Sequence, residues 1–289
     1  LFIIQNKNTE HFVYLYFIFP SPMIKFSKYQ GTGNDFIMID NRPLSAKLSQ
    51  PEIAHLCHRR LGIGADGLIL LQNHPDHDFE MVYYNSDGFP SSMCGNGGRC
   101  IAAFAAQVGI ENPTGILRFM AVDGLHEAVL ETPIKDGFQV NLKMQDVNQV
   151  TLRESYAVLN TGSPHFVVRV NDVEGLDLIK QAHAIRYSEQ FKETGINVNF
   201  VQQVGEEIQV RTYERGVEDE TWSCGTGVVA CAIASYLFTG HIPTGIQTKG
   251  GLLRVKFRSE EESAVPADKQ HFTNIHLIGP AVKVFDGYF

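Results

Sequence analysis

The sequence is short of the features that would make a secreted scaffold, a metalloprotein or a nucleic-acid binder. Its five cysteines (Cys57, Cys94, Cys100, Cys224 and Cys231) are odd in number, and no C-x-x-C pair or His/Cys cluster at zinc-ligand spacing occurs. That argues against a disulfide framework or a structural metal and points to a reducing cytosol. Basic residues are outnumbered, 24 Lys and Arg against 32 Asp and Glu, where a nucleic-acid binder would carry a basic face. The apolar run Phe12 to Phe19 has eight residues, against the roughly 20 that span a bilayer. As an export signal it is weak, with Lys7 offset by Glu10 and no small-residue cleavage site. A compact alternating strand begins at Met23, so residues 1–22 are expected to be an extension without function.

What is present is enough chain, 289 residues, for about two domains of ordinary globular composition. It reads as one unit written twice. The string MCGNG (93–97) runs into GRCIAAFAAQVG, and SCGTG (223–227) runs into VVACAIASYLFTG. Each is a cysteine followed by glycines, then about a dozen small and apolar residues closed by Gly. That is a helix apolar nearly all round, hence buried, with the cysteine at its N-terminal edge. Upstream, TGNDF (32–36) echoes TGSPHF (161–166), and Gly33 precedes Cys94 by 61 residues where Gly162 precedes Cys224 by 62. Downstream, VDGL (122–125) echoes KGGL (249–252), each followed by a strand pattern.

Between these landmarks lie short strand patterns at Phe36–Asp40, Leu68–Leu71, Phe79–Tyr84, Asn197–Gln202 and Ile208–Tyr213. Pro51–Arg60 reads as a surface helix capped by Ser49. The expected fold is α+β, two pseudo-symmetric duplicated domains, each a mainly antiparallel curled sheet around a central buried helix. Residues 23–138 make the first domain and 139–277 the second. The first half lacks a matching last strand, so residues 278–289, around Ala281–Phe285, are expected to return and supply it.

A cysteine in an apolar helix is ordinarily a small core residue, which suits Cys57, Cys100 and Cys231. Cys94 and Cys224 stand instead just before glycine-rich helix starts, where free N–H groups and the helix dipole favour negative charge. Such a setting is expected to lower a thiol pKa, and the same N–H groups can hold a carboxylate. Two duplicated halves facing one another would place the thiols across a cleft. Stereochemical inversion needs a base on one face of a carbon and an acid on the other, and a thiolate and a thiol can exchange those roles. A thiol–disulfide switch or a non-catalytic amino-acid-binding protein would also use such a cleft. The absence of C-x-x-C weighs against the switch, and a binding protein gives no reason for two thiols.

The strings GTGNDF (31–36), GIGADG (62–67), YNSDG (84–88), MCGNG (93–97), RTYERG (211–216) and CGTG (224–227) closely resemble the diaminopimelate epimerase family, in order from Met23 onward. The resemblance implies a cofactor-independent, metal-free isomerase that interconverts LL- and meso-diaminopimelate in lysine biosynthesis, a cytoplasmic homodimer. It implies that Cys94 and Cys224 are the catalytic pair. Gly95, Asn96, Gly225 and Thr226 would hold the reacting carboxylate, and Asn34, Asn85, Asn197, Glu214 and Arg215 would bind the rest of the substrate. His165 and Ser163 would stand behind them. Taken singly these residues are unremarkable: Asn34 is a turn former, Glu214–Arg215 a solvated pair and His165 a structural histidine. Three departures stand out. Gly67 and Ser163 replace a Gln and an Asn carried by many members, and GVEDETWS (216–223) is one residue longer than the common form. The rival within the fold is a proline-racemase-type enzyme.

Overall fold

The computed structural model describes residues 2–4, 13–15, 23–91, 93–259 and 270–289. Near the start, β1 (Phe2–Ile4) and β2 (Val13–Leu15) pair antiparallel. The expected dispensability of residues 1–22 otherwise falls outside the described residues. The first half then runs β3 (Lys25–Gly31), β4 (Asn34–Asp40), α1 (Gln50–Cys57), β5 (Gly67–Gln72), β6 (Phe79–Asn85), α2 (Gly95–Gln107), β7 (Ile116–Ala121), β8 (Gly124–Ile134) and β9 (Gly137–Lys143). The second runs β10 (Val150–Leu152), β11 (Tyr156–Asn160), β12 (Pro164–Arg169), α3 (Leu178–Arg186), β13 (Asn197–Val204), β14 (Glu207–Glu214), β15 (Asp219–Thr221), α4 (Gly225–Thr239), β16 (Ile246–Thr248), β17 (Gly251–Ser259) and β18 (Phe272–Tyr288).

The duplication is legible in the pairings. From β3 to β9 successive neighbours pair antiparallel, parallel, antiparallel, parallel, antiparallel and antiparallel. From β11 through β14, β16 and β17 to β18 the same sequence recurs. The sheets are mainly antiparallel, with two parallel joints in each half where a helix or long loop makes the crossover.

Sequence alternation explains the layers. On β4 and β5, Phe36, Met38, Ile69 and Leu71 face α2, while Ile37, Ile39, Leu68 and Leu70 face α1. Both faces are covered, so these strands are continuous apolar runs rather than alternating ones. In the second half Val198 and Phe200 face α3 while Val201 faces inward. The inner cluster is continuous across both halves and includes α2 and α4 together. Each fully buried Ile, Leu or Phe in it contributes about 1.5–3 kcal/mol.

Helix boundaries follow capping chemistry. The carboxylate of Glu52 accepts from both the N–H and the hydroxyl of Ser49, a capping box that starts α1. The helix stops at Cys57, short of the expected Arg60, because His58 is already extended and the N–H groups of Gly64 and Ala65 fold back onto its last carbonyls. The sequence reading missed α3 altogether. It is a weakly apolar surface helix begun by Asp177, whose side chain accepts from Lys180 N–H. Gly240, with φ 78°, closes α4 in the left-handed region.

Two strands bind the halves. β18 leaves β17 and continues alongside β3, Val282 opposite Gln30 through Tyr288 opposite Lys25. Midway it also pairs with β9, Gly279 opposite Val140. The segment after β9 meets β18 again, through bonds between Val147 and Phe272 and from Met144 to Ile275. The two connecting segments therefore cross antiparallel at the centre of the molecule.

Candidate active site

The helix starts converge on that crossing. A Cβ added to Gly95 would lie 3.5 Å from Gly225 Cα, and one on Gly225 would lie 3.3 Å from Gly95 Cα. Leu277 of β18 sits beneath both, 3.3 and 3.1 Å from the same two positions. A methyl at either position would just fill the space between the two helix starts, and at 225 it would press on Gly95 and Leu277. The glycines two residues on serve a different approach: Gly97 packs on Ile69, and a Cβ on Gly227 would lie 2.5 Å from Asn199 Oδ1. Each C-G-x-G string thus lets helix meet helix first and helix meet sheet second.

Cys94 and Cys224 are the N-cap residues of α2 and α4 and open onto one cleft of about 720 Å³. Asn34, Asn85, Gly95, Asn96, Ser163, Asn197, Glu214, Arg215, Gly225 and Thr226 line the same cleft, so the sequence-read residues are gathered from both halves. His165 lies behind them, fully buried. Cys57, Cys100 and Cys231 are buried in the core.

The Cys94 thiol donates to Asn34 Oδ1 at 3.4 Å, and the Asn34 amide donates to Asp66 at 2.6 Å. Asp66 and Asp35 are clamped by the Arg59 guanidinium, and Asp35 also by Lys28. Asn96 spans the seam: its amide donates to Asn34 Oδ1 and, at 2.9 Å, to Ser223 O of the other half. Its own oxygen accepts from Arg99 at 3.1 Å.

On the other side, Thr226 Oγ1 lies 3.4 Å from the Cys224 thiol and 2.9 Å from His165 Nε2. Asn199 fixes the tautomer. Its oxygen accepts from Thr212 at 2.9 Å, so its amide must donate to His165 Nδ1 at 3.0 Å, leaving the ring proton on Nε2. Burial, with the Arg215 charge, lowers His165 to about 3, so the ring is neutral and donates to Thr226. Thr226 is then free to donate to sulfur.

Electrostatics correct one expectation. The helix starts do pull on the thiols, Cys94 through the N–H groups of Gly97 and Asn96 and Cys224 through Gly227 N–H. Desolvation is larger, and both thiols are pushed above the ordinary value, with the Glu214 charge adding to it. Glu214 is itself pushed up by burial.

Asn197 is more committed than the sequence suggested. Its amide donates to Ser163 Oγ and Pro164 O and its oxygen accepts from Arg215 N–H. It therefore shapes the loop that presents Ser163 and Arg215. Asn85 makes no side-chain hydrogen bond among the described residues and is free to bind.

Sequence reasoning passed over Arg99, Asp66, Asn199 and Trp222. Arg99 is fully buried, bonds only to Gly95 O, Thr32 and Asn96, and has no carboxylate partner among the described residues. A lone Arg inside GNGGRCIAAFAAQ was its signal, since a buried guanidinium without a counter-ion is costly and places positive charge under the start of α2. Trp222 covers Gly33 from across the seam, 2.8 Å from where a Cβ would be.

A family model described as diaminopimelate epimerase matches residues 26–120 and 157–273. The chain is 48% identical to the diaminopimelate epimerase of Flavobacterium psychrophilum, over 91% of this chain and 99% of that protein. The chain belongs to the diaminopimelate epimerase family. It is also 40% identical to the diaminopimelate epimerase of Aquifex aeolicus, covering 91% of this chain and 97% of that one. Among solved structures, a PhzF-family protein from Bacillus anthracis superposes with a TM-score of 0.67 at 12% identity, covering 92% of this chain and 99% of that one. A probable proline racemase from Agrobacterium radiobacter gives 0.64 at 14%, covering 91% and 92%. At these identities the likeness is one of fold, so the proline-racemase type shares the architecture while the family is that of the epimerase. No helix among the described residues is long and apolar enough to cross a membrane.

Proposed function

We infer that this epimerase-family chain interconverts LL- and meso-diaminopimelate, with Cys94 and Cys224 as the two bases. The supporting observation is the abutment of two thiol-capped helix starts across one cleft. The reacting carboxylate accepts from the N–H groups of Gly95, Asn96, Gly225 and Thr226, where two helix dipoles and the uncompensated Arg99 favour negative charge. Buried thiols are protonated in the free cleft. The α-ammonium of the substrate brings in a cation that favours loss of one thiol proton. That thiolate takes the Cα proton, the electron pair delocalises into the carboxylate, and the opposite thiol returns a proton to the other face. The cysteines have then exchanged roles, which suits a reaction run in both directions.

At the distal end, Glu214 accepts from the second ammonium, while Arg215 and Asn85 bind the second carboxylate. His165 and Ser163 act from behind as positioning residues, His165 by holding the Thr226 hydroxyl toward Cys224. Residues 23–143 with the last part of β18 form one domain and the stretch from β10 to β17 the other, the break expected at 138 falling inside β9, and a cytoplasmic homodimer is the proposed setting.

Deuterium uptake at Cα of LL- and meso-diaminopimelate tests the reading. Cys94→Ala and Cys224→Ala are each expected to abolish epimerisation, while the Cys→Ser variants retain elimination from a halogenated analogue, which needs one base. Either Ala variant epimerising near the wild-type rate defeats the two-base assignment.

A further inference from the structure

Tyr83 and Asn85 stand two residues apart on β6, so they share one face of the sheet, and both line the cleft. On the neighbouring β5, Gly67 lies opposite Asn85 and Ile69 opposite Tyr83. Tyr83 is therefore the diagonal neighbour of Gly67 on that face. A Cβ added to Gly67 would lie 2.5 Å from Tyr83 Cε2, 2.5 Å from the Tyr84 carbonyl oxygen and 3.2 Å from the Tyr83 hydroxyl. The tyrosine ring fills the volume that any side chain at 67 would require. Phe36 holds the ring edge-on, with centroids 5.9 Å apart at 76°, which fixes where the hydroxyl points.

That hydroxyl makes no hydrogen bond with any described residue, and the half-buried ring belongs to the lining of the cleft. Burial, with the charges of Cys94, Asp66 and Glu214 around it, pushes the phenol up, so it keeps its proton. An oriented donor without an acceptor faces the cleft beside the free amide of Asn85.

We propose that Tyr83 is a further substrate-binding residue, its hydroxyl donating to the distal carboxylate of diaminopimelate alongside Asn85, and that Gly67 is required to give its ring room. The proposal rests on the substrate assignment above. Two features favour a carboxylate as the ligand group. The phenol retains its proton among acidic side chains, and the distal ammonium already has Glu214. Tyr83 and Gly67 together then set what the distal end of the cleft accepts.

The test is Tyr83→Phe, which removes one oxygen that makes no hydrogen bond with any described residue and should leave Tm unmoved. Solvent-deuterium exchange on LL-diaminopimelate is expected to show KM raised about tenfold, the loss carried by KM because the contact is the same in ground and transition states. Gly67→Ala, which presses on both the ring and the Tyr84 carbonyl, is expected to raise KM at least as much with Tyr83 still present. A KM for Tyr83→Phe within twofold of wild type overturns the proposal, as does a loss confined to kcat, which would put the hydroxyl at the reacting carbon. No exchange by the wild-type protein would instead defeat the substrate assignment itself.

Discussion

Cys224 does not act through its own chemistry alone; behind it a chain of donors runs from Thr212 through Asn199 and the neutral His165 imidazole to Thr226. The chain has a measurable consequence for stability. His165 sits at about 3 in the fold, against an ordinary value near 6.5 when unfolded. Between those values the unfolded chain binds one more proton, so stability rises with pH. The histidine's contribution is complete above about pH 6.5 and is lost as pH falls toward 3, at up to about 1.4 kcal/mol per pH unit. Urea unfolding at pH 7 and pH 5 is expected to show a drop that His165→Gln reduces. An unchanged pH slope in that variant would mean the ring is not held neutral. Thr226→Val is expected to slow the reaction at least tenfold and move the alkaline limb of its pH profile upward, because Cys224 loses a bond that lowers it. At this scale the sequence showed the two thiols plainly, since a cysteine before glycines is an odd way to begin an apolar helix. It could not show Tyr83 or Asn199, whereas Arg99 stood out as a lone charge in an apolar helix and was passed over. The meaning of the first two lies in partners brought from other strands, or in the lack of any.

The helices carry the most exacting fit. Gly225 has Gly95 and Leu277 within 3.3 Å of a hypothetical Cβ, whereas Gly240, at the other end of α4, has nothing within 4 Å. Gly225→Ala therefore needs Leu277 and Gly95 to give by a few tenths of an ångström, and overpacking of this kind costs about 1–3 kcal/mol. It is expected to lower epimerisation more than a hundredfold, since both sets of N–H donors shift. Gly240→Ala, whose only cost is a positive φ of 78°, is expected to lower Tm and keep the activity. Equal activity in the two variants would remove the close approach of the helix starts from the mechanism. Elements were legible wherever burial was two-sided, as in β4, β5 and α4. The half-exposed α3 carries a narrow apolar stripe, Leu178, Ala182 and Ile185 behind the cap Asp177, and escaped notice because that stripe is short and set among polar residues.

The whole molecule is tied by exchange of strands between its halves. β3, the opening strand of the first half, has β4 on one side and, among the described residues, only 282–288 on the other. A chain ending at Gly279 should leave that edge bare, and its first half is expected to lose amide protection and solubility. Adding a peptide of residues 272–289 should restore both; a truncated chain as stable as the full one would show the edge to be dispensable. The repeat of landmarks announced the duplication, and the missing final strand of the first half was readable as a gap. The crossing itself was not, because nothing in a linear string records that two connectors lie side by side. During translation the first half therefore emerges with an unfinished sheet. It has to wait, its β3 edge open to other chains, until some 140 further residues have been made.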